Sequence, residues 1–510
     1  MSKNFYITTP IYYPSGNPHM GHAYSSILTD VIARYKRIEG YKVHFLTGTD
    51  EHGLKIQKAA EKNKTSPKEF CDKISKTFKD LTSTLNLSND DFIRTTENRH
   101  IKGVQSIWDE LVKSGDIYLS KYKGWYSVSD EAYYSEEEVT NKDKKKYSIV
   151  SGSEVEWVEE DSYFFKLSKW EKPLLDLYNK NKSFILPESR KNEVVNFVKS
   201  GLKDLSVSRT SFSWGIKVPN NDKHVIYVWL DALTNYITAL NYPNKKDILY
   251  KNFWPASLHV IGKDILRFHA VYWPAFLLAA KIKVPERIFA HGWILAGKEK
   301  MSKSKGNILN PLEVIKNYGL DELRYYLMKE VSHGNDGSVS IENLEKCINA
   351  DLANNYGNLC QRLFVFIKNN CEEKIPQYDI FKPEDQKLLN SFSKMLPELR
   401  KFMDNQDINN YLKLAVERLF EVNKYVNDNQ PWALKKTDTK RMNTILYTSL
   451  ESLRKISILL FPVIPASSEN VLNTLGISKN DINIQNYSID KHLKPSAKLK
   501  EFKILFKKYS

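Results

Sequence analysis

Cysteine is scarce in this chain and never paired. The four present, Cys71, Cys347, Cys360 and Cys371, form no C-x-x-C pair, and no histidine stands at ligand spacing from Cys360 or Cys371. A disulfide framework and a structural zinc site are therefore not expected, and a reducing, cytoplasmic setting fits. Long apolar runs are missing too: residues 271–280 lie between Arg267 and Lys281 and are too few to cross a bilayer. No leader is expected, because Met1-Ser2-Lys3-Asn4 runs directly into a strand candidate. What remains is a folded globular protein, 41% hydrophobic and 12% aromatic. Its 510 residues exceed one ordinary core, so roughly two to four domains are expected. The net charge of +15 suits a polyanionic partner such as nucleic acid, although a plain lysine bias accounts for it as well.

Residues 5–10 read as a strand, followed by a loop rich in Tyr, Pro, Ser and Gly. Asn17-Pro18 has the form of a helix N-cap and first turn. Met20, Ala23, Ile27, Val31, Tyr35 and Ile38 then keep steps of three or four, which predicts a helix buried on one face. Gly40 ends it, and a second strand follows at 42–47. Strand, helix, strand at this spacing is a βαβ unit, hence a parallel sheet. From about 115 to 225 the pattern loosens into an inserted α+β module. Strand and helix signals resume with a strand at 258–261, a helix at 264–280 and a strand at 288–293. Beyond about 345 the chain turns helical, with apolar rows at Ile408, Tyr411, Ala415, Leu419, Val422 and Val426, and at Met442, Ile445, Leu446, Leu450, Leu453 and Ile456. Those rows are core stripes of a helix bundle.

Two short motifs carry chemistry. His19-Met20-Gly21-His22 opens the first helix, where backbone N–H groups and the helix dipole favour phosphate. Histidines three residues apart share one side of the turn and can donate to phosphate oxygens. Gly21 leaves room for a flat purine to approach the backbone. The second motif, Lys300-Met301-Ser302-Lys303-Ser304 followed by Lys305-Gly306-Asn307, is a cationic loop suited to wrapping a triphosphate. Taken singly, the first is equally two surface histidines and the second a solvated basic turn.

Together, in this order and about 280 residues apart, they resemble the HIGH and KMSKS motifs of the class I aminoacyl-tRNA synthetases. The resemblance implies ATP, Mg2+ and adenylate chemistry. It assigns His19 and His22 to the ATP phosphates and Lys300 and Lys303 to the departing pyrophosphate. It places Gly21, Met301, Ser302 and Ser304 at the nucleotide, Asp264 at the ribose, and the backbone near Trp293, with His291 and Gly292, at the adenine. The fold it implies is α/β: a Rossmann-type parallel sheet (residues 1–114 and 226–309) with an inserted α+β connective module (115–225). A connector (310–345) and a C-terminal α-helix bundle that binds the anticodon (346–510) complete it.

The amino acid side is less plain. Trp229, Ala232 and Tyr236 fall on one helix face, Ile265 and His269 at i and i+4 on another helix, and Pro10, Ile11 and Tyr13 in the loop after the first strand. Asp50 ends the second strand and could hold an ammonium group. Aromatic edges suit a thioether, but such residues alone read as core. The segments Thr8-Thr9-Pro10-Ile11-Tyr12-Tyr13, Val228-Trp229-Leu230-Asp231-Ala232 and Ile261-Gly262-Lys263-Asp264-Ile265 are similar to the methionyl branch of the family, which implies an L-methionine pocket. Leu233 stands where some members carry proline. The cysteine-free insert resembles the zinc-free form, and the ending soon after the bundle implies a monomer. The resemblance also places Asn358, Arg362 and Trp432 at the CAU anticodon of initiator and elongator methionine tRNAs. A class I synthetase for another amino acid, a nucleotidylyltransferase and a non-catalytic tRNA-binding paralogue remain as alternatives.

Overall fold

The computed structural model describes residues 3–14, 16–128, 130, 132–142, 145–296, 299–300 and 310–509, apart from the side chains of 132, 133, 296, 299 and 300. The chain divides into two compact units: Asn4–Pro18 with His44–His291, and Met1–Lys3 with His19–Val43 and Gly292–Ser510.

A six-stranded sheet organises the first unit. Its order is Asp91–Arg94, Lys42–Thr49, Asn4–Thr8, Leu258–Gly262, Ile288–His291 and Ile185–Leu186. Parallel registers join Ile7 to Leu258, His259 to Ile288, Ile288 to Ile185 and Leu46 to Asp91. Leu258, His259, Val260 and Ile261 are all buried, as are Ile288 to His291, which is the continuous burial expected of strands covered on both faces. Gly48 allows the close approach of its neighbour: a Cβ there would lie 2.0 Å from the Ile93 carbonyl oxygen.

Residues 115–225 build a second, antiparallel sheet, in which Ile117–Ser127 pairs with Glu154–Phe165 and Trp125 faces Trp157 across the strands. The same stretch also contributes the helices Glu171–Lys180 and Glu188–Lys199, and its strand Ile185–Leu186 is the edge of the main sheet.

The helix expected at 264–280 runs without interruption over 263–279, but its bonding changes along the way, from a 3-10 turn at Lys263–Ile265 through a π-turn at Phe268–Tyr272 to an α-helix at Trp273–Ala279. Pro274 has no N–H to give the preceding turn, so regular α bonding cannot run through it. The strand expected at 288–293 splits into Ile288–His291 and Ile294–Ala296. In the second unit Ile294–Ala296 pairs in parallel with Gly337–Val339. Gly292 makes this possible, since a Cβ there would sit 2.1 Å from the Asn335 carbonyl oxygen.

The second unit combines the helix Met20–Ile38 with the C-terminal helices Pro383–Asp404, Ile408–Asn429 and Thr439–Leu460. Both expected apolar rows are buried. Thr439–Leu460 is buried on nearly every side, and its hydroxyls turn inward: Thr448, Ser449, Ser452 and Ser457 each donate to the carbonyl four residues back. Helix Met20–Ile38 is tied to this assembly by ions. Asp30 accepts from Arg34 and from the fully buried Arg324, both at 2.7 Å. Arg324 also donates to the carbonyls of Val463 and Pro462, so the buried charge is met by three acceptors. Lys36 meets Asp404 at 2.6 Å and Arg400 meets Glu39 at 2.9 Å. No helix among the described residues is long and apolar enough to cross a membrane.

Candidate active site

In the first unit, the predicted amino acid residues collect at the carboxyl ends of the parallel strands, the usual ligand edge of such sheets. The loop holding Pro10, Ile11 and Tyr13 is stitched to the second strand: Tyr12 N–H donates to Gly48 O and Asp50 N–H to Tyr12 O, each 2.9 Å. Asp50 is buried there, and the Tyr13 hydroxyl donates to the carbonyl of His52 at 2.9 Å. On helix Val228–Thr238, Ala232 and Tyr236 are buried while Trp229 is half-buried. Phe268 lies flat on the Trp229 indole, with centroids 3.6 Å apart and planes 6° from parallel. The Trp229 Nε1 is buried without a hydrogen-bond partner.

Tyr236 and His269 define one protonation pattern. His269 Nδ1 meets the Ile265 carbonyl at 3.0 Å and so must carry the proton. Its Nε2 therefore accepts from the Tyr236 hydroxyl, at 2.7 Å. Burial pushes the His269 pKa down to about 4, which leaves the imidazole neutral near pH 7. Burial raises the Tyr236 phenol well above its ordinary value. Behind Tyr236 lies the His259 ring at 4.1 Å, itself held neutral by burial. The cluster is thus aromatic, uncharged and oriented, a lining suited to a soft, unbranched apolar side chain.

Asp264 is exposed on the turn after strand Leu258–Gly262. A Cβ on Gly262 would stand 2.6 Å from Asp264 Oδ1 and 3.8 Å from His291 Cε1, so these three residues share the ends of two neighbouring strands.

The sequence reading missed three residues that organise this region. The carboxylate of Asp231, fully buried, accepts from His52 Nδ1 and from His100 Nε2, each at 2.7 Å. Burial pushes its pKa up, but the two imidazoles outweigh burial and hold it below the ordinary carboxylate range. His100 Nδ1 in turn meets Thr238 Oγ1 at 2.8 Å. The signal was present: an aspartate inside the apolar run from Val228 to Leu233 has to find partners if it is buried. Phe268 was also missed, although it adjoins His269.

In the second unit, helix Met20–Ile38 is capped by His19, not by Asn17-Pro18. His19 Nδ1 accepts from Gly21 N–H, and His22 Nδ1 accepts from His19 N–H, each at 3.1 Å. This reciprocal cap commits both Nδ1 atoms as acceptors, so each ring keeps its proton on Nε2, a donor suited to an anion. The two rings lie 3.8 Å apart. Burial, and then the neighbouring His19, push the His22 pKa well down, so the His22 ring is a neutral donor. Gly21 has a role that sequence did not suggest, since a Cβ there would stand 2.9 Å from His19 Cε1 and displace the capping ring. No acidic residue occupies the first turn, as an anion site requires.

Trp293 donates its N–H to Asp336 Oδ1 and accepts from Gly337 N–H, both at 2.8 Å. Lys300 lies in a short strand whose backbone pairs with Leu295. Met301, Ser302, Lys303 and Ser304 lie outside the described residues. Among the described residues no group of three His, Cys, Asp or Glu side chains could hold a metal ion.

The expected anticodon residues sit on the bundle. Asn358 is exposed at the start of helix Asn358–Asn370. Arg362 donates to Asn427 Oδ1 at 2.7 Å, and its guanidinium lies 5.4 Å from the Trp432 ring. Trp432 is 44% exposed just past helix Ile408–Asn429, where Gln430 turns the chain in a left-handed conformation. An exposed indole backed by a cation is a platform for an unstacked base.

Comparison with known proteins gives a consistent result. A family model described as tRNA synthetases class I (M) matches residues 5–145 and 141–364, and one described as the anticodon binding domain of methionyl tRNA ligase matches 375–510. The chain is 52% identical to the methionine–tRNA ligase of Brucella suis over 476 residues, 93% of this chain and 92% of the relative. It is 49% identical to that of Rickettsia felis over 512 residues, 100% of this chain and 99% of the relative. Among solved structures, Mycobacterium tuberculosis methionyl-tRNA synthetase in complex with methionyl-adenylate matches with a TM-score of 0.97 and 44% identity, covering 99% of each chain.

Proposed function

The chain belongs to the methionine–tRNA ligases of class I, and from that premise we propose which of its residues carry each step. The enzyme activates methionine with ATP and forms aminoacyl-tRNA. In activation a methionine carboxylate oxygen attacks the α-phosphorus, the bond to the β-phosphate bridge breaks, and pyrophosphate leaves with the electron pair. In transfer a 3′-terminal hydroxyl attacks the acyl carbon and AMP leaves. Neither step needs covalent help from the protein, so positioning and charge stabilisation carry both.

The methionine site consists of Pro10, Ile11, Tyr13, Asp50, Trp229, Ala232, Tyr236, Ile265 and His269. The observation that carries this reading is the neutral Tyr236–His269 pair beside the Trp229–Phe268 stack: it offers the thioether aromatic faces and no charge. Asp50, at the end of its strand, takes the ammonium. The Nε2–H groups of His19 and His22 donate to ATP phosphates, Lys300 and Lys303 draw off pyrophosphate, and Asp264 holds the ribose. Gly21, His291, Gly292, Trp293, Met301, Ser302 and Ser304 complete the nucleotide contacts. Mg2+ would be held chiefly by the phosphates and water, neutralising their charge, since the protein's own contribution is donors and cations. Asn358, Arg362 and Trp432 read the anticodon shared by initiator and elongator methionine tRNAs. The catalytic region is 1–114 with 226–309, the insert 115–225, the connector 310–345 and the anticodon domain 346–510. The enzyme works as a cytoplasmic monomer.

Trp229→Ala tests the pocket. Its methionine KM in ATP–pyrophosphate exchange rises at least about tenfold while the ATP KM holds. An unchanged methionine KM in the folded variant contradicts the assignment.

A further inference from the structure

We infer that Asp231 is a positioning residue for methionine, setting the distance between the group that takes the ammonium and the aromatic wall that takes the thioether. The inference rests on the methionine site proposed above and extends it to a residue that touches no substrate.

The geometry converges on one carboxylate. Asp231 belongs to helix Val228–Thr238, two residues after Trp229 and one before Ala232. Its Oδ2 holds His52, two residues after Asp50, and its Oδ1 holds His100 on helix Asn98–Lys113. His52 is fixed in other ways as well. Its carbonyl accepts from the Tyr13 hydroxyl, and its ring meets the Trp214 indole edge-on at 5.4 Å. The indole N–H of Trp214 donates to the Glu51 carbonyl at 2.6 Å, and the Glu51 carboxylate is gripped by Arg94 at 2.6 and 2.9 Å. The turn from Asp50 to His52 is therefore held at several points by its surroundings. A direct side-chain tie from this turn to the aromatic helix is the Asp231–His52 bond. Far from that bond, His100 is anchored to Thr238 at the other end of the same helix, which keeps the helix from rotating about it.

A carboxylate is what this junction requires. Both imidazoles present N–H groups, so the acceptor must be doubly competent, fully ionised and buried. Asparagine has the same outline, but its amide would set a donor against one imidazole N–H. One hydrogen bond is then lost, and the ammonium and thioether subsites drift apart.

The test is steady-state ATP–pyrophosphate exchange with Asp231→Asn and, as a gentler change, His100→Gln, each checked by thermal unfolding. Asp231→Asn is expected to raise the methionine KM about tenfold or more. The ATP KM should stay within about twofold and kcat within about threefold, with a smaller rise of the same kind for His100→Gln. Selectivity supplies a readout that stability cannot move: the ratio of kcat/KM for methionine over leucine falls in both variants. Folded variants with unchanged methionine KM and selectivity overturn the proposal, as does an equal rise in both KM values. If Asp231→Asn does not fold, His100→Gln decides alone. Trp229→Ala, assayed beside them, separates the two readings. If it raises methionine KM and the Asp231 and His100 variants do not, the pocket stands and the positioning role falls. If it too has no effect, the pocket itself is wrong.

Discussion

Tyr236→Phe isolates a single hydrogen bond. The substitution keeps the ring, and with it the 4.1 Å packing on His259, and removes only the hydroxyl that donates to His269 Nε2 at 2.7 Å. Nδ1 remains committed to the Ile265 carbonyl, so the ring cannot turn over to satisfy itself. Tyr236 and His269 are 1% and 2% exposed. An acceptor left unpaired in such a place costs about 1–3 kcal/mol. In the free enzyme a water entering the methionine site can take the missing bond, so stability should change little. Methionine expels that water, and the cost then falls on binding. The methionine KM should therefore rise by about five- to a hundredfold while the ATP KM is unchanged. ATP–pyrophosphate exchange at varied methionine reads the first quantity, and urea unfolding reads the stability. A variant less stable by that amount but with an unaltered methionine KM would show that the pair is core only, and the reasoning would fail.

Other expectations follow from the same geometry. His19→Ala removes a helix cap and should cost about 0.5–2 kcal/mol in stability. His19→Asn should keep the cap yet lose the Nε2–H, so that ATP KM rises in a protein of near-native unfolding midpoint. Acid should destabilise the fold between pH 6.5 and 4. His269 is lowered from 6.5 to about 4, so across that window the unfolded chain binds the proton and the folded one does not. The loss from this one group is about 3 kcal/mol, read from urea midpoints against pH, and His269→Gln should flatten that slope. Trp432→Ala should weaken tRNA by about 1–3 kcal/mol, seen as a raised tRNA KM in aminoacylation, and leave tRNA-independent exchange intact.

Much of the fold was legible because burial imposes period. The rows from Ile408 to Val426 and from Met442 to Ile456 repeat at helical spacing and are core. The two strands flanking Met20–Ile38 are short apolar runs at the spacing of a βαβ unit. Legibility failed where a backbone feature overrides the pattern. Pro274 loosens the bonding of a segment that does form one helix, and Gly292 lets the chain change sheets inside what reads as one strand. It failed again at the cap. Asn17-Pro18 satisfies local preferences, but a histidine three residues before another histidine can close a reciprocal cap, and that depends on ring geometry that propensity does not encode. Within the site, single residues such as Trp229 and Tyr236 were visible through resemblance. The Asp231 bridge was not, because its partners lie 179 and 131 residues away.

The central claim is most directly tested by ATP–pyrophosphate exchange with each of the twenty amino acids in turn, without tRNA. Exchange that depends on methionine and is far weaker with every other amino acid is the predicted result. Exchange driven equally well by a different amino acid, or none with any, would contradict the account.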